Sequence, residues 1–160
     1  MTTCEGLRRL SRLDALPTGT RNLRRTRWVV RRADAACDSV AEERLLHILR
    51  SAGVRGMRTQ YLVVHPSGRY YLDIGIPGLL LDIEFDGAHK YVEHSESVEK
   101  ALFEQRVRQH ELEQLGWIVV RFAWPDLDSP VGVVRPIRGA LRRHGRDLDI
   151  DPAMSFAAVA

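Results

Sequence analysis

Three carboxylates occupy alternate positions of a short apolar segment, residues 80–87, which reads LLDIEFDG. Successive side chains of a β-strand point to opposite faces of the sheet. A strand over this segment therefore places Asp82, Glu84 and Asp86 on one face and the apolar side chains on the other. Carboxylate oxygens are the ligands that Mg²⁺ takes in proteins, so this face is a candidate site for a divalent cation.

A second alternating segment, residues 70–76, comes just before and contributes Asp73. It ends at a Pro-Gly dipeptide, which is typical of a turn. A hairpin with a two-residue loop would set Asp73 opposite Asp82, whereas a shift of two residues would set Asp73 opposite Glu84. Both registers bring like charges together, and Mg²⁺ or Mn²⁺ would offset them. From the pattern alone, a half-exposed hairpin with a solvated acidic face fits equally well.

The flanking segments predict the elements that would position these carboxylates. Ser39 and Glu42 form a capping box, in which the serine caps the N3 amide and the glutamate reaches back to the N-cap amide. This box opens a helix through about residue 51, and residues 61–65 form a first strand. The side chains expected to face inward from that helix are Val40, Leu45, Ile48 and Leu49.

Downstream, a helical pattern covers about residues 95–115, followed by a strand over residues 117–122 that we expect to be central. A final helix has Pro130 at its first position. The first of these helices has an apolar stripe made of Val98, Ala101, Leu102, Leu112 and Leu115. Gln105, Arg108 and Gln109 interrupt it, and they need polar partners such as an active site would supply. The element order predicts an α/β sandwich around a mixed sheet.

These motifs resemble the restriction-endonuclease-like (PD-(D/E)XK) superfamily, in particular a largely uncharacterised group similar to the very-short-patch mismatch repair endonuclease. The resemblance covers residues 37–144: an acidic residue, a hairpin, an acid-x-acid-Gly run, then His89, a helix with Arg108, and a Gly-Trp strand that ends in arginine. It implies a restriction-endonuclease-like mixed-sheet sandwich with flanking helices. It also implies a Mg²⁺-dependent or Mn²⁺-dependent DNA endonuclease.

The resemblance assigns roles to individual residues. Asp73 and Glu84 would be the metal ligands, and Asp86 stands where the superfamily usually has lysine. The role of the missing cation would then fall to His89, Lys90 or Arg108. His89 is a candidate general acid or base, and Lys90 is a candidate contact to a DNA phosphate. Glu42 matches a glutamate that leans toward the catalytic centre, although its capping role alone explains it. The helix has Gln105 where the family usually has aspartate.

Charge and composition set the remaining expectations. Residues 1–38 contain nine arginines against four acidic residues. We interpret residues 1–36 as a basic helical arm whose Arg8, Arg9, Arg24, Arg25 and Arg27 would contact DNA phosphates. Residues 145–160 lack a pattern and predict a flexible tail. No secretory signal or long apolar run is found, and the two lone cysteines favour a reducing cytoplasm with no membrane partner.

Two alternatives to the nuclease remain open. The first is a catalytically inactive nucleic-acid-binding protein, or a regulatory protein of the toxin–antitoxin type, that keeps the fold. The second is a glycosidase-like use of paired carboxylates, which lacks an aromatic platform for sugar. Arg121, at the end of the last strand, is expected to pair with a carboxylate and not with a phosphate.

Overall fold

The computed structural model describes residue 34 and residues 36–86 and 95–151. Within these residues the protein is an α/β structure with a four-stranded mixed sheet and three helices. The elements follow in the order α1 (Val40–Ser51), β1 (Arg58–His65), β2 (Gly68–Ile76), β3 (Leu81–Phe85), α2 (Ser95–Gln114), β4 (Ile118–Phe122) and α3 (Pro130–Arg142). Short 3-10 helices cover Pro77–Leu79 and Trp124–Asp128.

Helix α1 begins at the predicted serine cap. The Ser39 hydroxyl accepts a hydrogen bond from the Glu42 N–H at 3.1 Å. The glutamate reaches back as a capping box requires, but it accepts from the Asp38 N–H, at 2.8 Å, and from the Ser39 hydroxyl, at 2.7 Å. Val40 is 80% exposed, so its predicted inward orientation is wrong, and Leu46 is buried instead.

The strand order is β1-β2-β3-β4, with the first three strands antiparallel and β4 parallel to β3. The parallel pairing needs a crossover connection, and α2 lies in that connection. In the described sheet β4 comes last in the strand order and pairs with β3 alone. It therefore lies at the edge of that sheet, and the prediction that it is central is wrong. The apolar run that suggested a central strand is explained by packing of this edge between α2 and α3.

The connection between β2 and β3 is longer than the predicted two-residue loop. A 3-10 turn at Pro77–Leu79 precedes Leu80, which has a left-handed backbone with φ 45°. The resulting register pairs Ile74 with Ile83 and Gly75 with Asp82. The predicted pairing of Asp73 with Asp82 is therefore wrong. The alternative register is the one observed, because its next pair would be Asp73 and Glu84.

Two apolar clusters flank the sheet. The larger one joins β2, β3 and β4 to buried side chains of α1 and α3, among them Leu45 and Ile137. The smaller one joins Leu72 of β2 to Leu112 of α2 and to Trp117. Along β3, Leu81 and Ile83 belong to the larger cluster, so the intervening carboxylates point toward α2.

Among the described side chains of the apolar stripe predicted on α2, Leu112 alone is buried as expected. Leu102 is 47% exposed and Leu115 is 37% exposed. Phe103, outside the predicted stripe, is also exposed. The side chains of Val98 and Ala101 lie outside the described residues. Two of the polar positions, Arg108 and Gln109, do have polar partners, which are described below.

Gly75 is constrained by the neighbouring strand, because an added Cβ would lie 2.9 Å from the Cβ of Tyr61. We expect Gly75→Ala to lower the free energy of unfolding by about 1–3 kcal/mol, since a backbone-proximal clash cannot be relieved by rotating a flexible side chain. Gly68→Ala is the matched control in the same strand, because a Cβ there meets nothing within 4 Å. Urea unfolding of both variants measures the difference, and equal stabilities would contradict this contact.

The first seven residues of the predicted flexible tail belong to the packed structure. Leu148 is buried, Ile150 pairs with Val54, and the Asp151 N–H donates to the Gly53 carbonyl at 2.9 Å. The prediction of a flexible segment is therefore wrong for residues 145–151, while residues 152–160 lie outside the described residues. No helix in the described part of the chain combines the length and the apolar character needed to cross a membrane.

Candidate acidic site beneath helix α2

Glu84 lies between two arginines at the centre of the candidate site. Its Oε1 is 2.6 Å from Arg108 Nη2 on α2, and its Oε2 accepts from Arg121 Nε on β4 at 3.0 Å. The parallel register places Glu84 directly opposite Arg121. The prediction that Arg121 pairs with a carboxylate is confirmed, and Arg108 reaches the site as the resemblance implied.

Gln109 and Tyr71 complete the polar contacts of these arginines. Arg121 Nη1 donates to the Gln109 side chain, and Arg108 Nη2 also donates to the Tyr71 carbonyl at 2.6 Å. Two guanidinium donors, Arg108 Nε and Arg121 Nη2, are buried without a hydrogen-bond partner among the described residues. Buried polar groups are normally hydrogen-bonded, so these donors indicate that an acceptor such as water or an anionic ligand belongs here.

Asp82 is completely buried, on the same face of β3 as Glu84. Neither of its carboxylate oxygens accepts a hydrogen bond from a donor in the described structure. Burial and the adjacent charge of Glu84 raise the pKa of Asp82 to about 9. At neutral pH the Asp82 carboxyl is therefore protonated and can donate its hydrogen to Glu84.

The Asp73 side chain accepts a hydrogen bond from the backbone of β3, as a backbone carbonyl would do in the ladder between β2 and β3. Its Oδ2 accepts from the Phe85 N–H at 3.0 Å, just beyond the last described β2–β3 pair. Burial, together with the charges of Glu42 and Glu84, raises the pKa of Asp73 to about 6, although the Phe85 N–H and Arg108 oppose this rise. Asp73 is thus ionised at neutral pH and close enough to Glu84 to sense its charge.

Glu42 and Asp86 border the site in different ways. Glu42 is buried, and both of its oxygens are engaged in the cap of α1. Its charge reaches Asp73, so Glu42 contributes to the field of the site and the capping contacts account for its position. Asp86 is half-buried at the end of β3, and its N–H donates to the Phe122 carbonyl at 2.8 Å.

Several predicted site residues cannot be placed. His89 and Lys90 lie outside the described residues, as do Arg8, Arg9, Arg24, Arg25 and Arg27 of the predicted arm. Asp34, the first described residue of the predicted arm, accepts hydrogen bonds from Arg50 at 2.9 Å and from Thr59 at 3.3 Å. This end of the arm therefore lies beside the end of α1 and the start of β1.

The sequence analysis placed Asp82 on the acidic face and expected a carboxylate partner for Arg121, but it assigned neither of them, nor Gln109, a role in the site. Asp82 carried a signal, because it shares the alternation of Glu84, but alternation does not distinguish a buried face from a solvated one. Arg121 required the parallel register of β3 and β4, which no local pattern specifies. Gln109 was recognised only as a polar residue in need of a partner.

A comparison of this chain with protein-family models, with curated proteins and with solved structures finds no match.

The two arginines can balance only two of the three carboxyl groups of this cluster, Asp73, Asp82 and Glu84, and Glu84 binds both of them. Burial and the neighbouring carboxylates raise the pKa of Asp82 and Asp73, so that Asp82 stays protonated. A cation would bind in this cluster by displacing the proton of Asp82.

A divalent ion fits this cluster in ligand chemistry, because carboxylate oxygens are its usual ligands. Asp73 has one oxygen engaged by Phe85, Asp82 has two oxygens without donors, and Glu84 has an oxygen held by Arg108. As they stand, no three histidine, cysteine or acidic side chains of the described ranges are arranged to hold a metal ion. Binding would therefore require Glu84 to exchange Arg108 for the ion.

Proposed function

We propose that this protein is a divalent-metal-dependent DNA endonuclease that hydrolyses phosphodiester bonds. The observation that carries the proposal is the buried cluster of three carboxyl groups, Asp73, Asp82 and Glu84, of which two arginines can balance only two. Mg²⁺ or Mn²⁺ would take the place of the Asp82 proton and, when bound, makes hydroxide available near neutral pH. Asp73 and Glu84 would hold the ion.

The arginines have a role of their own in this proposal. Arg108 Nε and Arg121 Nη2 are donors that lack an acceptor among the described residues. Oxygens of a scissile phosphate would satisfy them, and a guanidinium matches phosphate geometry well. These two residues would therefore hold the phosphate and stabilise charge that develops on it during hydrolysis.

We further propose the restriction-endonuclease-like fold for this domain. The order helix, three strands, helix, strand and helix agrees with the order of motifs on which the resemblance rests. The acidic residues fall on the two strands that the resemblance requires, Asp73 on β2 and Glu84 on β3.

A catalytically inactive nucleic-acid-binding protein is the second candidate, because a specific contact favours it. Glu84 is already bound by two guanidinium groups, and such a triad can be purely structural. The two candidates differ in one measurable property. The nuclease binds Mg²⁺ or Mn²⁺ through the cluster, whereas the inactive binder recognises DNA without using a metal.

Plasmid nicking with Mg²⁺ or Mn²⁺, with EDTA as the control, tests the proposal together with calorimetric titration of the metal. We expect Asp73→Asn to reduce metal affinity and nicking together by about 100-fold or more, since changes even to groups behind a metal ligand cost about 10–100-fold. Glu104→Gln is the control, because the Glu104 side chain is 65% exposed and pairs with Lys100 on the same helix.

The pH dependence of metal binding by the wild type provides a second test of Asp73 as a ligand. Metal ligands must be deprotonated, and the pKa of Asp73 is raised to about 6. We therefore expect metal affinity of the wild type to increase as the pH rises through 6. If the wild type binds no metal and nicks no plasmid at any salt or pH, the inactive binder replaces the nuclease.

A further inference from the structure

A groove of about 700 Å³ lies along the open edge of the sheet, between the C-terminal ends of α2 and α3. Strand β4 forms its floor, and Pro136 and Ala140 of α3 form part of one wall. Among the described strands, β4 pairs with β3 alone. Its second edge therefore presents backbone N–H and C=O groups to this groove.

The charged residues of the groove are mostly cationic. Arg121, Arg143 and Arg146 line it together with His144, and Glu113 is its only acidic lining residue in the described part of the chain. The groove is therefore a positively charged region, whereas the acidic cluster of the domain is buried. An anionic ligand fits this lining by charge.

Two of these arginines are not neutralised by a carboxylate. Arg143 has neither an ion pair nor a hydrogen bond among the residues that the structure describes, and Arg146 donates to the Leu79 carbonyl at 2.9 Å. Glu113 accepts from the Gln109 side chain at 2.7 Å. Arg142, the neighbour of Arg143, differs, because it lies 3.6 Å from Asp147 and outside the groove lining.

Arg121 connects the groove to the acidic cluster. Arg121 lines the groove, and its guanidinium group donates to Glu84. A chain of phosphates that follows β4 would therefore arrive at Arg121, next to the carboxylates. The groove volume lies within the range of about 300–1,000 Å³ that is usual for small-molecule pockets, which suits a few nucleotides of one strand and not the width of a duplex.

We propose that this groove binds the sugar-phosphate backbone of a single nucleic-acid strand and leads it to the acidic cluster. The guidance toward the cluster rests on the proposed nuclease function, whereas the binding itself does not. Arg143 and Arg146 contact phosphates directly, and Arg121 contacts the phosphate nearest to Glu84. Recognition of this kind depends on charge and is independent of base sequence.

The test is fluorescence anisotropy of a short labelled oligothymidylate with the full chain in EDTA, across about 50–200 mM salt. Each phosphate contact contributes about 0.7 to the slope of log affinity against log salt for a single strand. We expect Arg143→Ala to weaken binding several-fold and to reduce the slope by about 0.7, and Arg143→Glu to weaken it further. Arg142→Ala, which removes the same charge one residue away, should leave both quantities unchanged.

The outcomes separate this groove from other surfaces and from catalysis. Equal effects of Arg142→Ala and Arg143→Ala, or no effect of either, would overturn the proposal and assign DNA binding to the predicted arm. Tighter binding of a matched duplex that depends on Arg143 would overturn the single-strand assignment. A dimer that Val120→Pro abolishes, with no Arg143-dependent oligonucleotide binding, would assign the edge of β4 to self-association. Arg143-dependent binding without nicking in any metal would support the groove and remove only the nuclease.

Discussion

The stability that Asp73 and Asp82 contribute is expected to decrease as the pH rises from about 4 to about 9, which is the opposite of the carboxylate effect in ordinary acid denaturation. Burial and Glu84 raise the pKa of Asp82 to about 9, and burial raises the pKa of Asp73 to about 6. A group whose pKa is higher in the folded state contributes stability that is complete below its unfolded pKa and is lost as the pH rises through its folded pKa. Asp73 therefore acts first, up to about pH 6, and Asp82 acts over the wider range.

Urea unfolding at a series of pH values measures this effect, which for Asp82 is at most on the order of 7 kcal/mol. Asp82→Asn keeps the shape and cannot ionise, so it should remove most of the decrease above pH 6. Asp128→Asn is the control, because the Asp128 side chain is 80% exposed. A stability difference between the wild type and Asp82→Asn that stays constant over this range would show that Asp82 ionises freely in the folded protein.

Glu84→Gln is expected to abolish metal binding and nicking and to lower the free energy of unfolding by about 3 kcal/mol. Glutamine retains the size of the side chain but removes the charge that both Arg108 and Arg121 contact. Breaking a buried ion pair by changing one partner costs about 3–5 kcal/mol, because a charge is left uncompensated. The lower end applies here, since the Arg108 and Arg121 side chains are 31% and 22% exposed.

Nicking assays and urea unfolding of the same preparations separate the two effects. In nicking, the double variant Asp73→Asn with Glu84→Gln should be little worse than either single variant, because both residues act through one ion. In unfolding, Arg108→Met should cost less in the Glu84→Gln background than in the wild type, with a coupling energy of about 0.5–3 kcal/mol. Full nicking activity of a correctly folded Glu84→Gln protein would exclude Glu84 as a metal ligand.

Local patterns in the sequence predicted the individual elements well. The Ser39 cap, the strands of Asp73 and Glu84, and the start of α3 at Pro130 all occur as expected. Each of these depends on hydrogen bonds or backbone angles within a few residues, so the relevant physics is contained in the local sequence. The chemistry of the site was accessible for the same reason, since alternation alone placed Asp82 and Glu84 on one face.

The errors concern packing between distant segments. The edge position of β4, the exposure of Leu102 and the docking of Leu148 each depend on which segment covers which surface. The two-residue turn failed because Leu80 adopts a left-handed backbone, which is uncommon for leucine and therefore has no sequence signal. The burial of Asp82 likewise depends on α2, which covers that face of β3. The alternating sequence pattern is equally compatible with a face exposed to solvent.

The parallel pairing of β3 with β4 has a consequence for how the chain folds. Glu84 and Arg121 are 37 residues apart in the sequence, whereas β1, β2 and β3 are joined by tight hairpin turns. Closing a longer loop costs more chain entropy, by about 0.6 kcal/mol for each doubling of its length, and such contacts slow folding. Until that loop closes, Glu84 lacks the Arg121 contact that makes its burial tolerable. The acidic cluster is thus completed by the least local pairing in the described sheet, and a chain with an assembled site has already closed the longest loop of that sheet.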